Sequence, residues 1–104
     1  MSELSQQAVL SCVTRGLSTI GAEGAEATFY HLERQFGLAR VSIPLKPASF
    51  TLALRALFGV GSGVLMNAIL REIRSTDIVE KDEHVALFAL ELEAAAGDVE
   101  SGIM

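Results

Sequence analysis

The stretch 47-PASFTLALRALFGVGSGVLMNAILREIR-74 decides the fold, because it contains two helical patterns separated by glycines. Apolar residues recur every three or four positions in both halves, from Phe50 to Phe58 and from Leu65 to Ile73, as on one face of a helix. The proline at its start suits the first turn of a helix, and the glycines permit a tight corner. The stretch therefore predicts two short helices joined by a tight turn.

Helical patterns also flank this stretch on both sides. Toward the N-terminus the spacing predicts helices over about 3–20 and 23–36, with Ser2 as the cap of the first. Toward the C-terminus a fifth helix is predicted to begin at Asp77 or Asp82, since both can cap a helix start.

The only long connector, residues 38–48, lies between the second and third helices. Pro44 restricts it to extended or turn conformations, and apolar residues alternate with polar ones around Ile43 and Leu45. We expect an extended loop across the helices with Ile43 and Leu45 buried. A short strand that pairs with a second copy is a less favoured alternative.

Together these elements predict an all-α fold, a small helical bundle of about five helices with one extended Pro-containing loop. A chain of 104 residues has the size of one domain. We assign residues 1–96 to a single helical domain and residues 97–104 to a flexible C-terminal tail.

Composition limits the classes of function. The net charge of −5 and the scattered arginines argue against binding to nucleic-acid backbones. The weakly charged stretch 56–70 is too short and too rich in glycine to span a membrane, and the polar N-terminus does not resemble a signal peptide. We therefore expect a cytoplasmic protein without a membrane partner.

The glycine turn is a possible anion-binding site, since backbone N–H groups at a helix start can hold a phosphate. Its candidate residues are Gly61, Ser62 and Gly63. A dinucleotide fingerprint, however, needs a preceding strand, and a P-loop needs a following lysine. Because a helix precedes this turn and no lysine follows it, a structural corner is the favoured interpretation.

Residues that could carry chemistry are few. His31 and His84 could meet in space with Glu33 and bind a metal, but no ligand pair has helical metal-binding spacing. Cys12, the single cysteine, falls in an apolar helical pattern and is interpreted as a core residue. No serine lies in a nucleophile elbow. We expect no enzyme activity, no catalytic residue, no cofactor and no metal.

The pair formed by the third and fourth helices could also be a helix-turn-helix DNA reader, with Arg71 and Arg74 at its end. Such a reader contacts bases through the N-terminus of its second helix. Here that N-terminus is segment 62–65, which has few side chains suited to base contacts. A small DNA-binding transcriptional regulator is therefore the alternative function.

The favoured function follows from the high content of apolar residues, which exceeds what the interior of a small bundle can bury. Half of the residues are apolar, and a bundle of this size has few interior positions. Some of this surface should pack against another protein, most simply a second copy in a homodimer. The predicted interface lies on the first and fifth helices and consists of Val9, Val13, Leu17, Val79, Ala86, Leu87 and Leu90.

Several motifs between Phe29 and Ile73 resemble a small archaeal signal-output family, the Nitrosopumilus-type output domain. They are Tyr30-His31-Leu32-Glu33, Phe36-Gly37-Leu38, Ile43-Pro44, Pro47 with Phe50, Leu54 with Leu57-Phe58-Gly59 and Gly61, and Ile69. The order of turns and aromatic residues carries the resemblance, which covers a little under half of the chain. It implies a helical domain, found alone or attached to sensory modules, with a role in signal transduction, and it supplies no catalytic residue that can be carried over to this chain.

Overall fold

The computed structural model describes residues 2–77 and 81–101, in which the chain forms five α-helices. They are α1 (Glu3–Leu17), α2 (Ala22–Phe36), α3 (Pro47–Phe58), α4 (Ser62–Arg74) and α5 (Glu83–Ser101). Short 3-10 helices cover Ser18–Ile20, Arg40–Leu45 and Gly59–Gly61. These described ranges contain no β-strand, so the predicted all-α bundle is confirmed.

Local side-chain chemistry explains where the helices begin and end. The Ser2 hydroxyl accepts a hydrogen bond from the Ser5 amide at 3.1 Å, which caps α1 as predicted. Gly37 ends α2 with φ +65°, a left-handed conformation that glycine adopts without steric strain. At α5, an Asp82 carboxylate oxygen accepts from the His84 amide at 2.9 Å, which favours the later of the two predicted helix starts.

Helix α4 lies at the centre of the bundle, with α1 and α5 packed against it. Eight of its thirteen residues are buried: Ser62, Gly63, Leu65, Met66, Ala68, Ile69, Leu70 and Ile73. Helix α3 adds Phe50, whose ring stacks on Phe88 of α5 with centroids 6.1 Å apart. The core therefore forms around α4, the second half of the segment Pro47–Arg74.

Glycine 16 allows α1 and α4 to approach each other closely. A Cβ atom placed on Gly16 would lie 2.7 Å from both the backbone nitrogen and the Cα of Ile69. Carbon atoms do not approach backbone atoms this closely without displacing them. The contact between these two helices therefore depends on the absence of a side chain at position 16.

The connector differs from the predicted extended loop, because Arg40–Leu45 forms a 3-10 helix. A 3-10 helix repeats every three residues, so Ile43 and Leu45 point in different directions. Ile43 is fully buried, as predicted, but Leu45 is 56% exposed, and the prediction that it is buried is wrong. The alternative of a strand is wrong too, since 40–45 is helical.

The end of α5 differs from the predicted tail. The helix continues through residues 97–101, the first five residues of the segment that was predicted to be a flexible tail. Continued helix lets Val99 pack against α4, where its Cγ1 atom lies 3.4 Å from the position of a Cβ atom on Gly63. Residues 102–104 of the predicted tail lie outside the described residues.

One segment, Pro47–Arg74, is long and apolar enough to be considered as a membrane span by composition alone. In the structure this segment bends at Gly59–Gly61 and forms the two helices α3 and α4. Their inner faces supply much of the core of a molecule that measures 36 × 29 × 22 Å. The segment has the environment of core helices in a globular domain.

Candidate functional site

Eleven large apolar side chains are exposed in the described part of the chain. They are Leu4, Ile20, Tyr30, Phe36, Val41, Leu45, Leu52, Val60, Val64, Leu87 and Leu90. Single exposed apolar residues are normal on a protein surface, whereas groups of them mark contact sites. Their distribution over the helices therefore decides where a partner could bind.

The predicted interface on the first helix is wrong. Val9, Val13 and Leu17 are at most 1% exposed and belong to the hydrophobic core. Helix α1 packs extensively on α4. The apolar face of α1 is therefore covered by this chain itself and is not available to a second protein.

The predicted residues on the fifth helix behave differently. Leu87 is 53% exposed and Leu90 is 59% exposed, whereas Ala86 is partly buried and Val79 lies outside the described residues. Ala94, four residues after Leu90, is also exposed. Since spacings of three and four place residues on one side of a helix, Leu87, Leu90 and Ala94 form an exposed apolar stripe, here called the α5 stripe.

A surface cavity of about 390 Å³ lies where α3, the glycine turn and the end of α5 meet. Its lining residues are Arg55, Ala56, Gly59, Val60, Asp98 and Val99, and we call it the Arg55–Asp98 groove. Helix α3 turns Phe50 and Leu54 inward, which leaves Arg55 exposed on the opposite side. Val60, at the turn, is 71% exposed.

Charges at the groove have no partner within the described chain. Arg55 and Asp98 both line the cavity, yet neither forms an ion pair with any described residue. Other arginines do form such pairs, as in Arg15 with Glu72 and Arg40 with Glu26. Among the residues that the structure describes, the groove thus offers one arginine and one aspartate without an ion pair, beside apolar surface.

Two of the three turn residues proposed for anion binding, Ser62 and Gly63, are buried. The Ser62 side chain is fully buried, and its hydroxyl donates a hydrogen bond to the Gly59 carbonyl at 2.7 Å. Gly63 is buried beneath Val99, and only Gly61 is exposed. This arrangement fits a structural corner and gives no support to a phosphate site at Gly61, Ser62 and Gly63.

Helix α4 is poorly placed for the DNA-reading role. Its N-terminal residues Ser62, Gly63 and Leu65 are buried, and Val64 is the exposed residue among them. A recognition helix needs a free N-terminal face that can enter the major groove. Arg71 is exposed at the other end of α4, and Arg74 there is paired with Glu93.

The histidines and the cysteine have local structural partners. The Gln35 amide lies 3.1 Å from His31 Nδ1, and His84 Nδ1 lies 3.6 Å from Asp82. No group of three or more His, Cys, Asp or Glu residues within 2–77 and 81–101 could hold a metal ion. Burial raises the pKa of the Cys12 thiol, against the opposing effect of nearby Arg15.

Sequence reasoning missed the Arg55–Asp98 groove, because its two charged residues are 43 positions apart. One signal was available. Arg55 interrupts the apolar pattern of α3 at a position on its solvent-exposed side, which predicts an exposed charge. The pattern does not identify which residues of other helices lie beside that charge.

Comparison with protein-family models, with curated proteins and with solved structures gives no match. The resemblance to the archaeal output domain therefore stays a prediction.

Proposed function

We propose that this chain is a non-enzymatic protein-interaction or signal-output module that associates with a second copy of itself in the cytoplasm. The observation that carries the proposal is the α5 stripe, in which Leu87, Leu90 and Ala94 face solvent along one side of a helix. Exposed apolar surface along a helix supports a role in binding protein, because association removes that surface from water.

A second copy is the simplest partner, since most homo-oligomers are twofold dimers that use one patch on each subunit. The paired helices of such a dimer would cover the α5 stripes of both copies together. The signalling part of the proposal rests on the resemblance to the output-domain family. The apolar surface supports association in general.

Association can be tested by size-exclusion chromatography with light scattering at micromolar concentrations. We expect a dimer, and we expect the double variant Leu87→Gln, Leu90→Gln to shift it toward monomer, because glutamine retains helix propensity while removing apolar area. The matched control is Val41→Gln, Leu45→Gln, which changes two exposed residues of the connector. A monomeric wild-type chain at these concentrations would refute the proposal.

A further inference from the structure

The Arg55–Asp98 groove differs in its charges from two other cavities in the described part of the chain. A second cavity of about 290 Å³ between α2 and the end of α3 is lined mainly by apolar residues such as Ile20, Leu57 and Phe58. It contains no Asp, Glu, Lys or Arg among its lining residues. A third cavity of about 230 Å³ has one charged lining residue, Lys46. The Arg55–Asp98 groove, by contrast, combines apolar walls with two opposite charges that have no ion-pair partner in the described chain.

Opposite charges on one patch suit a twofold interface. In such an interface a patch meets its own copy, so a contact between two different residues occurs twice, once in each direction. A patch of a single charge sign would repel itself. A patch with one free arginine and one free aspartate can instead pair crosswise, because Arg55 of each copy can face Asp98 of the other.

The groove is also continuous with the α5 stripe. Asp98 follows Ala94 by four residues and Leu87 by eleven, so it lies on the same side of α5 as the stripe. On the other side of the groove, exposed Val60 adds apolar area at the glycine turn. Apolar surface bordered by complementary charges is the usual composition of a protein interface.

We propose that the Arg55–Asp98 groove is the self-complementary contact of a homodimer, in which Arg55 of each copy forms an ion pair with Asp98 of the other and Val60 packs in the apolar part. This inference rests on the proposed self-association and adds the surface and the charge pairs that hold it. The two crossed ion pairs fix the orientation of the copies, while the apolar contacts supply most of the affinity.

Charge reversal followed by mixing tests the crossed pairs. In an Arg55→Glu homodimer both pairs become Glu with Asp, and in an Asp98→Arg homodimer both become Arg with Arg. We expect each variant alone to dimerise at least about tenfold more weakly than the wild type at low ionic strength. In a mixture of the two, both crossed pairs become attractive again, so a heterodimer should form with near wild-type affinity.

Arg71→Glu is the matched control, because Arg71 is an exposed arginine without an ion pair in the described chain and lies at the far end of α4 from the groove. We expect it to dimerise like the wild type, and to form a heterodimer with Asp98→Arg more weakly than Arg55→Glu does, because one of the crossed pairs would then be Arg with Arg. Native mass spectrometry identifies the heterodimer by its mass, and circular dichroism verifies that each variant is folded.

The outcomes separate this inference from the proposed function. If the wild type is a dimer and both charge-reversal variants dimerise equally well, the proposed self-association remains supported. The proposal that the groove is the dimer surface is then refuted. Weakened single variants that do not recover on mixing would overturn the crossed pairs. A free amino acid that raises the melting temperature of the wild-type monomer but not of Arg55→Glu would make the groove a small-zwitterion site instead.

Discussion

The substitution Gly16→Ala, which adds a single methyl group, is expected to destabilise the fold. The new Cβ would lie 2.7 Å from two backbone atoms of Ile69 and would also collide with its Cγ1 atom. Since ordinary contacts begin near 3.4 Å, α1 and α4 would have to separate by about 0.7 Å. The side chain of Ile69 can rotate, but the backbone of a central helix cannot move without disturbing its other contacts.

The size of the effect follows from two opposing contributions. Overpacking of a buried site costs about 1–3 kcal/mol, and the rigid backbone at position 69 favours the upper end of this range. Alanine gains up to about 1 kcal/mol over glycine in a helix interior. The net loss is therefore about 1–2 kcal/mol in the free energy of unfolding, or roughly 5–15 °C in the melting temperature of a domain of this size.

Urea denaturation followed by circular dichroism measures this loss. The matched control is Gly97→Ala, because Gly97 lies within α5 and a Cβ atom there would have no atom within 4 Å in the described chain, its own helix backbone and chain neighbours aside. We expect the control to be as stable as the wild type or more stable, by up to about 1 kcal/mol. If Gly16→Ala matched the stability of the control, the close approach of α1 and α4 would be refuted.

Two further predictions concern titratable groups. Hydrogen bonds, chiefly from the Ser5 hydroxyl, lower the pKa of Asp82 in the folded chain below its usual 3.8. The ionised carboxylate therefore stabilises the fold above pH 3.8, and this stabilisation is lost as the pH falls through the lower pKa of the folded state. We expect the melting temperature of Asp82→Asn to fall less than that of the wild type between about pH 6 and about pH 2, and equal slopes would contradict this. Burial raises the pKa of Cys12, so a disulfide reagent should modify it at least about tenfold more slowly in the native chain than in urea. Equal rates in the two states would show that the thiol is accessible.

The helices could be predicted from the sequence because their signals are local. Ser2, Gly37 and Gly59 mark helix ends through capping and positive φ angles, which depend on neighbouring residues alone. The prediction of an extended connector was wrong because a short alternating pattern fits more than one backbone conformation. Alternating apolar residues around Ile43 suggest an extended segment, but a 3-10 helix places Ile43 in the core and Leu45 in solvent.

Which helix faces which could not be predicted from periodicity. The spacing of Val9, Val13 and Leu17 correctly indicates a shared apolar face, yet it does not tell whether that face meets this chain or another one. Gly16, on the same helix, was the overlooked signal. A glycine inside a helix costs stability, which is compensated when another backbone packs closely against it, as α4 does.

Of the predicted interface residues in the described chain, Leu87 and Leu90 of α5 are the large apolar ones that remain exposed. Val85, Phe88 and Leu92 are buried along one side of α5, while Leu87 and Leu90 are exposed along another. A surface helix usually has one apolar face, and a helix that is apolar on several sides is usually buried on several sides. In the single chain the outer side of α5 violates this rule. Association through the α5 stripe and the adjoining Arg55–Asp98 groove would bury that side, which accounts for the apolar residues there without requiring any catalytic or cofactor site.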